Sequence, residues 1–389
     1  MPVLSRPGRA RARLSALLAG TAATTVAALA LAAPAGAATA HGRFHGASHV
    51  VFVQTDNTAG NQVAAYHRAA DGALTLAGTY NTGGLGGQLT GSVVDHLASQ
   101  GSLQYDAHQR LLIAVNAGSN TVSVFWVFGD RLFLRQVISS GGTFPVSVAI
   151  HHDLVYVLNA LNGGSVQGYR LFFGRLFPLQ GSNRPLNLDP TATPQFTNTP
   201  GQVAFSPDGS QLIVTTKANG NDIDVFGIRP GGRPSASPVV NSEPGTVPFA
   251  VGWDQAGHLV IADAGTNALS TFALGSAGTV TLIDSVGTGQ AATCWVTSAA
   301  GTLYASNAGS ANISGYTSSA GGELTLLGQT STDPGTVDAA ASHGGRFLYV
   351  QTGGNGIVDE FSVGSGGSLT AIGSVTVAGA VGGEGIAAS

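Results

Sequence analysis

Residues 111–125, LLIAVNAGSNTVSVF, carry the feature that most restricts the fold of this chain. The apolar run LLIAV predicts a buried β-strand, and the alternating run TVSVF predicts a second strand with one exposed face. The residues between them, NAGSN, predict a tight turn because Gly and Asn adopt positive φ with little strain. The segment is therefore predicted to form a β-hairpin.

The same hairpin pattern recurs seven times along the chain. The copies begin at His49, Leu111, Leu154, Gln211, His258, Thr302 and Phe347. Most copies are followed by a further short β-run, such as GGELTLLGQT, and preceded by another, such as QVAFSPDGS. Four short strands per unit at a spacing of roughly 45 to 60 residues are typical of propeller blades, which bury both faces only between neighbours. We therefore predict an all-β fold, a seven-bladed β-propeller of four-stranded antiparallel blades.

Closure of the ring is predicted by the two ends of the repeat array. The first copy lacks a preceding inner strand, whereas the last residues, GEGIAAS, form a β-run with nothing after it. The simplest arrangement makes this C-terminal run the innermost strand of the first blade, which leaves no free edge inside the ring. We expect residues 41–389 to form this single domain.

Residues 1–40 have the pattern of a secretory signal peptide. Four arginines precede an Ala/Leu/Val-rich run over residues 14–31, and the small-residue motifs AGA and ATA follow as cleavage sites. A retained anchor is the alternative interpretation of this run. No later segment is long and apolar enough to span a membrane. We expect a secreted mature protein.

The charge balance excludes one class of partner. Without residues 1–40 the chain has 12 basic and 20 acidic residues, a formal charge of about −8, and Lys217 is its only lysine. Nucleic-acid binding requires a basic surface, so we predict none. Cys294 is the only cysteine, so the secreted chain has no internal disulfide, and we expect this residue to be a small buried hydrophobe rather than a nucleophile.

The chain resembles the lactonase-like seven-bladed propellers in four segments taken together: LLIAVNAGSNTVSVF, SPDGSQLIV, LTLLGQT and FLYVQTGGNGIVDEF. That family includes bacterial 6-phosphogluconolactonase and fungal carboxymuconate-cyclising enzymes, and the resemblance covers about residues 49–389. The segment VNAGSNTVSVF is also similar to the YVTN-type repeats of secreted and surface-layer propellers, some without known catalysis. The first resemblance implies an active site at one mouth of the central channel, with His, Arg and acidic residues.

The inner strands depart from that family in their ionisable residues. Family members often carry a His shortly after a Pro at the start of an inner strand, where this chain has Val146 or Ser147. The equivalent positions of the seven inner strands are Ser102, Ser147, Gln202, Ala250, Cys294, Asp338 and Gly385. Only one of the seven, Asp338, carries an acidic or basic side chain that is ordinarily charged near pH 7, so the catalytic set of the family is not present intact.

Three residues are candidates for acid–base catalysis. Hydrolysis of a lactone needs a base that activates water and donors that stabilise the developing oxyanion. Asp95 and His96 lie in an insertion over residues 83–103 that we expect to cap the channel mouth, although a plain surface loop is the alternative. Asp338 enters an apolar inner strand, where it either accepts backbone hydrogen bonds or serves as an acid with a raised pKa.

Four further residues are candidates for substrate binding. Arg184, in a second insertion over residues 181–201, is expected to overhang the channel and bind a carboxylate. Trp295 and Gln290 offer a stacking surface and a hydrogen bond to a sugar-like ring, although the Trp also suits core packing. Gln202 occupies an aligned inner-strand position. A single suitable arginine makes a phosphorylated ligand a poor fit.

These observations predict a secreted lactonase-like propeller that hydrolyses a small cyclic ester at the channel mouth. The competing hypothesis is a non-catalytic extracellular propeller that binds a glycan, a peptide or a cell-surface partner. A third hypothesis, a cyclising isomerase for a muconate-like substrate, would require more than one channel arginine. The sequence contains no zinc pattern, phosphate loop or nucleophile elbow, so we predict no cofactor and no metal. We expect a monomer whose ligand is a small lactone or a glycan-like molecule.

Overall fold

The structure, a computed structural model, describes residues 49–389, and the predicted signal peptide over residues 1–40 lies outside the described residues. The first strands are β1 (Val50–Gln54), β2 (Gln62–Arg68), β3 (Leu74–Asn81), β4 (Leu103–Asp106), β5 (Leu111–Asn116), β6 (Thr121–Phe128), β7 (Arg131–Ser139), β8 (Pro145–His151), β9 (Leu154–Asn159), β10 (Ser165–Phe172), β11 (Arg175–Pro178), β12 (Arg184–Pro185), β13 (Val203–Phe205), β14 (Gln211–Thr215), β15 (Asp222–Gly227) and β16 (Val239–Ser242). The remaining strands are β17 (Pro248–Trp253), β18 (Leu259–Asp263), β19 (Ala268–Leu274), β20 (Val280–Gly287), β21 (Thr293–Ala299), β22 (Thr302–Asn307), β23 (Asn312–Ser318), β24 (Leu324–Ser331), β25 (Thr336–Ala341), β26 (Phe347–Thr352), β27 (Ile357–Val363), β28 (Leu369–Thr376) and β29 (Ile386–Ala388).

These strands form the seven predicted antiparallel blades. From the inner strand outward the blades are β29-β1-β2-β3, β4 to β7, β8 to β11, β13 to β16, β17 to β20, β21 to β24 and β25 to β28. Inner strands of adjacent blades contact each other, for example β29 with β4 and β25 with β29. The seven-bladed propeller predicted from the repeats is therefore confirmed.

The C-terminal strand closes the ring as predicted. Strand β29 pairs antiparallel with β1, with Val53 opposite Ile386, and the Gln54 amide donates to the Gly385 carbonyl at 2.8 Å. The first blade therefore consists of strands from both ends of the described chain. This pairing also brings the C-terminal segment to the centre of the molecule.

Burial follows the position of each strand within its blade. All residues are buried in the second strand of every blade, namely β1, β5, β9, β14, β18, β22 and β26. The outer strand β24 instead alternates between exposed and partly buried residues after its first position. Second strands are covered on both faces by neighbouring blades, which explains their continuous apolar runs, whereas outer strands pack on one face only.

The turn predicted within residues 111–125 depends on an asparagine in the left-handed region. A short 3-10 turn, Ala117–Ser119, ends at Asn120, which has φ 55° and ψ 39°. Asn tolerates this conformation better than most residues. Its side-chain oxygen also accepts a hydrogen bond from the Phe144 amide at 2.7 Å, which links the turn to the next blade.

The third blade carries the second insertion on its outer side. Strand β12 pairs with β10, and the one α-helix of the described residues, α1 (Gln195–Asn198), follows it.

Among residues 49–389 no helix has the length and apolar character needed to cross a bilayer.

Candidate functional site: a buried acidic cluster beside an apolar cavity

The last part of the first insertion runs between inner strands of several blades. Residues 95–101, which we call the plug segment, hydrogen-bond to inner strands on opposite sides of the ring. The Val148 amide of the third blade donates to the Gly101 carbonyl at 2.9 Å. The earlier part of the same insertion contacts turns of other blades, since the Gly86 amide donates to the Asn57 carbonyl and the Gly118 amide donates to the Leu85 carbonyl, so the expectation that the insertion caps the mouth stays a prediction.

Gln100 fastens the plug segment to the sixth blade. Its side-chain Nε2 donates to the Val296 carbonyl and its Oε1 accepts from the Val296 amide, both at 2.9 Å. Its own amide donates to the Gly201 carbonyl of the fourth blade at 3.2 Å. The side chain thus replaces a strand neighbour for Val296, and the segment is held from two directions.

Four buried carboxyl groups surround the plug segment, and we call them the acidic cluster: Asp56, Asp95, Asp338 and Glu384. The Ser99 amide and hydroxyl donate to Glu384 at 3.0 and 2.8 Å, and the Glu384 amide donates to Asp56 at 2.8 Å. Asp95 Oδ1 accepts from the amides of Leu97 and Ala98 at 3.1 and 2.8 Å. Backbone amides and the Ser99 hydroxyl therefore supply hydrogen bonds to several of these carboxyl oxygens, and a buried carboxyl group needs such donors because it has lost its contact with water.

Burial changes the protonation of the acidic cluster. It raises the pKa of Asp56 and of Asp338 to about 7 each, because ionisation is costly away from water. Burial and then the negative charge of Asp95 raise the pKa of Glu384 well above its usual value. The Glu384 side chain also hydrogen-bonds to Asp95, so the protonated Glu384 and the Asp95 carboxylate act as a coupled pair.

Lys217 supplies the positive charge next to this pair. It is 1% exposed, and its Nζ donates to the carbonyls of Ala98 and Phe196, both at 2.6 Å, and to the Thr199 hydroxyl at 3.2 Å. Burial lowers the pKa of Lys217 to about 8, while the charge of Asp95 opposes that shift. The three hydrogen bonds use all three ammonium hydrogens, so Lys217 acts on a ligand through its charge alone.

A cavity of about 200 Å³ lies beside Asp95 and Lys217. Its walls are mostly apolar and come from the first insertion, helix α1 and blades four, five and six. The lining side chains and backbone belong to Gly91, Ser92, Val93, Val94, Asp95, Ala98, Phe196, Thr197, Lys217, Val247, Phe249, Ala264, Ala292, Cys294, Trp295 and Ala308. We call it the Asp95 cavity. It forms where the two longest insertions of the chain meet.

Asp95 is the ionisable group best placed to act in this cavity. Its second carboxyl oxygen, Oδ2, is buried and receives no hydrogen bond from any amide, hydroxyl or amine of the described residues. Burial raises its pKa, whereas the hydrogen bond from Glu384 and the charge of Lys217 hold the ionised form. A buried carboxylate that lines a cavity beside a cation is a candidate general base.

Cys294 and Trp295 line the same cavity in less reactive states. Burial raises the pKa of the Cys294 thiol to about 12, so the thiol is neutral near pH 7. The Trp295 indole N–H donates to the Ser99 carbonyl at 2.6 Å, and its ring meets Phe249 edge-on at 5.1 Å. Trp295 therefore packs in the core and lines the cavity, and its predicted stacking on a sugar-like ring stays a prediction.

The structure separates His96 from its neighbour Asp95. The His96 amide donates to the Gly382 carbonyl at 2.7 Å, and its ring hydrogen-bonds to the Asp56 backbone. Burial lowers the pKa of His96, so its ring is neutral near pH 7. His96 does not line the Asp95 cavity, and Asp338, although part of the acidic cluster, does not line it either.

The other predicted ligand residues lie elsewhere. Arg184 belongs to β12 at the outer side of the third blade, and its guanidinium donates to the carbonyls of Gly181, Asn183, Pro234 and Ser235. The expectation that Arg184 overhangs the channel is corrected, because the pairing of β12 with β10 carries it outward. Gln290 accepts from Asn312 Nδ2 at 2.7 Å in a loop of the sixth blade.

Gln202 lines a different and more open cavity of about 580 Å³, which also contacts Gln104, His151 and Trp253. Its side-chain oxygen accepts from the Val251 amide at 2.6 Å and so joins the fourth and fifth blades.

Within residues 49–389, no three His, Cys, Asp or Glu side chains are grouped closely enough to hold a metal ion.

The fold and the site define a class of protein: a seven-bladed propeller with the lactonase-like architecture and a buried acidic cluster in its channel. No protein-family model and no curated protein sequence matches the chain. Several solved structures share its fold.

One is the periplasmic gluconolactonase PpgL of Pseudomonas aeruginosa, with a TM-score of 0.69 and 19% identity over 87% of this chain and 98% of that one. Another is a provisional 6-phosphogluconolactonase of Bacteroides fragilis, with a TM-score of 0.68 and 17% identity over 86% and 97%. The chain therefore has the fold of the 6-phosphogluconolactonase-like propellers, which confirms the resemblance seen in its sequence.

Proposed function

We propose that this protein hydrolyses a small lactone in the Asp95 cavity. The observation that carries the proposal is the position of Asp95, a buried carboxylate that is hydrogen-bonded to Glu384 and lines a 200 Å³ cavity together with the buried Lys217. Asp95 would take a proton from water as the water attacks the ring carbonyl carbon. The positive charge of Lys217 would stabilise the oxyanion that forms. The ring C–O bond would then break, and the carboxyl pair of Asp95 and Glu384 would return the proton to the leaving oxygen, which gives a hydroxy acid.

The walls of the cavity indicate the substrate class. Much of the wall is apolar and is formed by Val247, Phe249, Ala264, Ala292 and Ala308. Lys217 is the one cation that lines the cavity, and its three ammonium hydrogens are already donated to protein oxygens. A phosphate group would find no free donor from that residue. We therefore expect a small aliphatic lactone rather than a phosphorylated sugar lactone. The names of the similar structures, gluconolactonase and 6-phosphogluconolactonase, support lactone chemistry at a coarser level.

The test is a hydrolysis screen of the purified protein against aliphatic and sugar lactones. We expect turnover of at least one aliphatic lactone and a loss of about 100-fold or more in kcat for Asp95→Asn, the size typical of removing a general base. The matched control is Asp224→Asn, because Asp224 in the fourth blade is also buried and burial also raises its pKa to about 7. This control should keep its kcat within about threefold.

Non-catalytic binding is the second candidate. It is favoured by the hydrogen bonds that already occupy Lys217 and the Trp295 indole, and by the open 580 Å³ cavity beside Gln202. Lactones or oligosaccharides that raise the melting temperature without being hydrolysed, in both the wild type and Asp95→Asn, would establish this alternative and contradict the hydrolase.

We also propose that the protein is exported, as the pattern of residues 1–40 suggests, and that it acts as a monomer. N-terminal sequencing of protein recovered outside the cell should begin after Ala37 or Ala40. An intact N-terminus would support the membrane-anchored alternative.

A further inference from the structure

We propose that the outer rim of the second and third blades is a docking surface for an anionic lipid membrane. The surface consists of the β6–β7 and β10–β11 hairpins. Its exposed aromatic residues, which we call the aromatic patch, are Trp126, Phe128, Phe133, Phe172, Phe173 and Phe177.

The hairpin tips of these two blades differ from those of the other five. The equivalent turns of the other blades read AADGA, RPGGR, GSAGT, SAGGE and GSGGS, at residues 69–73, 229–233, 275–279, 319–323 and 364–368. Blades two and three instead have FGDR at residues 128–131 and FFGR at residues 172–175. A repeat protein needs only a tight turn at this position, so the aromatic residues are not required by the fold. Arginine also occurs at the tip of the fourth blade, in RPGGR.

The aromatic patch is exposed to an extent unusual for such side chains. Phe172 and Phe173 at one tip are 61% and 81% exposed, and Trp126 is 47% exposed. Among the described residues, every Phe or Trp with more than about a third of its surface exposed belongs to this patch. Contiguous exposed apolar surface of this kind marks an interaction site.

The two hairpins form one continuous surface. Gln136 of β7 donates to the Leu176 carbonyl of β11 at 3.0 Å and accepts from the Leu176 amide at 2.7 Å. At the next tip, Gly174 approaches the Trp126 indole so closely that a side chain there would clash with it. The aromatic residues of both blades are therefore presented together and in a fixed arrangement.

Arginines surround the aromatic patch in an otherwise acidic molecule. Residues 101–180 contain five arginines and three aspartates, whereas the rest of residues 49–389 contains six basic and seventeen acidic residues. The Arg135 guanidinium stacks on Trp126 at 4.0 Å from the ring centre, and Arg131 and Arg175 are exposed at the two tips. Arg110 borders a groove of about 550 Å³ beside Trp126 and Phe133. The charge of this rim is complementary to an anionic partner.

A bilayer fits this surface better than a second copy of the chain. Aromatic side chains on projecting tips enter the interfacial layer of a membrane without needing a matching groove, and arginines bind anionic headgroups at the same depth. A symmetric dimer through the same rim would instead bring the arginines of both copies together, which is unfavourable.

Vesicle co-sedimentation tests the proposal. The purified protein should bind phosphatidylcholine vesicles that contain about 30 mol% phosphatidylglycerol, and bind pure phosphatidylcholine about tenfold more weakly. Phe172→Ser/Phe173→Ser and, separately, Arg131→Gln/Arg175→Gln should each reduce the partition coefficient about tenfold. The matched control is Val239→Ser/Val240→Ser, which alters exposed residues on the outer strand of the fourth blade and should change binding by less than about twofold.

Three results would overturn the proposal, provided that circular dichroism shows each variant folded. The first is a wild type that does not sediment with anionic vesicles, and the second is equal binding of the wild type to neutral and anionic vesicles. The third is binding of both patch variants at the wild-type level. Light scattering that shows a dimer lost in Phe172→Ser/Phe173→Ser, without vesicle binding, would identify a second copy as the partner instead. None of these outcomes depends on lactone hydrolysis, because the rim does not contribute to the Asp95 cavity.

Discussion

At the scale of single residues, the channel holds four carboxyl groups against one ammonium group. Lys217 neutralises only part of this negative charge. Burial raises the pKa values of Asp56 and Asp338 to about 7, so protonation of carboxyl groups neutralises the remainder. Stability should therefore depend on pH in a direction opposite to that of ordinary surface carboxylates, whose folded-state pKa values are lowered.

Asp338→Asn tests this dependence. A carboxyl with a folded-state pKa near 7 and an unfolded-state pKa near 4 stabilises fully below about pH 4 and loses that contribution as the pH rises through 7. The substitution should therefore raise the free energy of unfolding by about 4 kcal/mol at pH 8 and change it by less than about 1 kcal/mol at pH 4. Urea denaturation at both pH values measures the difference. A variant that is destabilised at pH 8 would contradict the raised pKa.

Sequence patterns identified Asp95 because it stands beside His96 in a long insertion, and Asp338 because it enters an apolar inner strand. Lys217, Asp56 and Glu384 were missed as site residues. Lys217 and Asp56 follow the ends of second strands, and Glu384 precedes the closing strand, so they meet only when the ring is complete. The one sequence signal for these three residues was that Lys217 is the only lysine of the mature chain. Its place in the site became evident only when the structure showed that its Nζ donates to the Ala98 and Phe196 carbonyls.

At the scale of elements, the plug segment joins inner strands that otherwise share few contacts across the channel. The existence of this insertion was predictable from its length, but its path was not. Its seven residues contain little apolar periodicity, and their position is decided by hydrogen bonds to strands up to about 200 residues away, such as that from Gln100 to Val296.

Gln100→Ala tests the structural role of the plug segment. It would leave the Val296 amide and carbonyl without their partner, so we expect the free energy of unfolding to fall by about 2 kcal/mol. The control is Gln62→Ala, which removes an exposed hydrogen bond to Asn81 on the first blade and should cost less than about 0.5 kcal/mol. Equal effects of the two substitutions in denaturant melts would show that the plug is not fastened through Gln100.

The position of Arg184 illustrates a further limit of the sequence at this scale. The insertion that carries it was recognised, but a two-residue pairing with β10 decides which side of the blade it faces. The later part of the same insertion, around Phe196, does reach the Asp95 cavity. Periodicity gives no information on how an irregular segment divides between two faces of a blade.

At the scale of the whole molecule, the repeats were sufficient to predict the blade number and the closure of the ring. This success has a physical reason, since each blade buries its faces only against two others and any open end would expose an apolar sheet. The same closure places Glu384 beside Asp95, so the integrity of the ring and the chemistry of the site depend on one short strand.

Deleting residues 383–389 tests this dependence. Loss of β29 removes the inner strand of the first blade, and we expect aggregation or loss of the cooperative thermal transition. Glu384→Gln is the control that changes the charge but keeps the strand, and its melting temperature should stay within about 5 °C of the wild type. A truncated protein with the wild-type melting temperature would show that closure does not stabilise the ring.

The pH dependence of kcat/KM for lactone hydrolysis, compared between the wild type and Asp95→Asn, tests whether Asp95 is the general base. The account predicts a bell-shaped profile for the wild type. Its acidic limb should lie above the usual range of an aspartate because burial raises the pKa of Asp95, and its alkaline limb should lie near 8, the pKa of Lys217. Asp95→Asn should lose the acidic limb together with at least about 100-fold of the rate. Enzyme-dependent hydrolysis with a flat profile, unchanged in Asp95→Asn, would contradict the account.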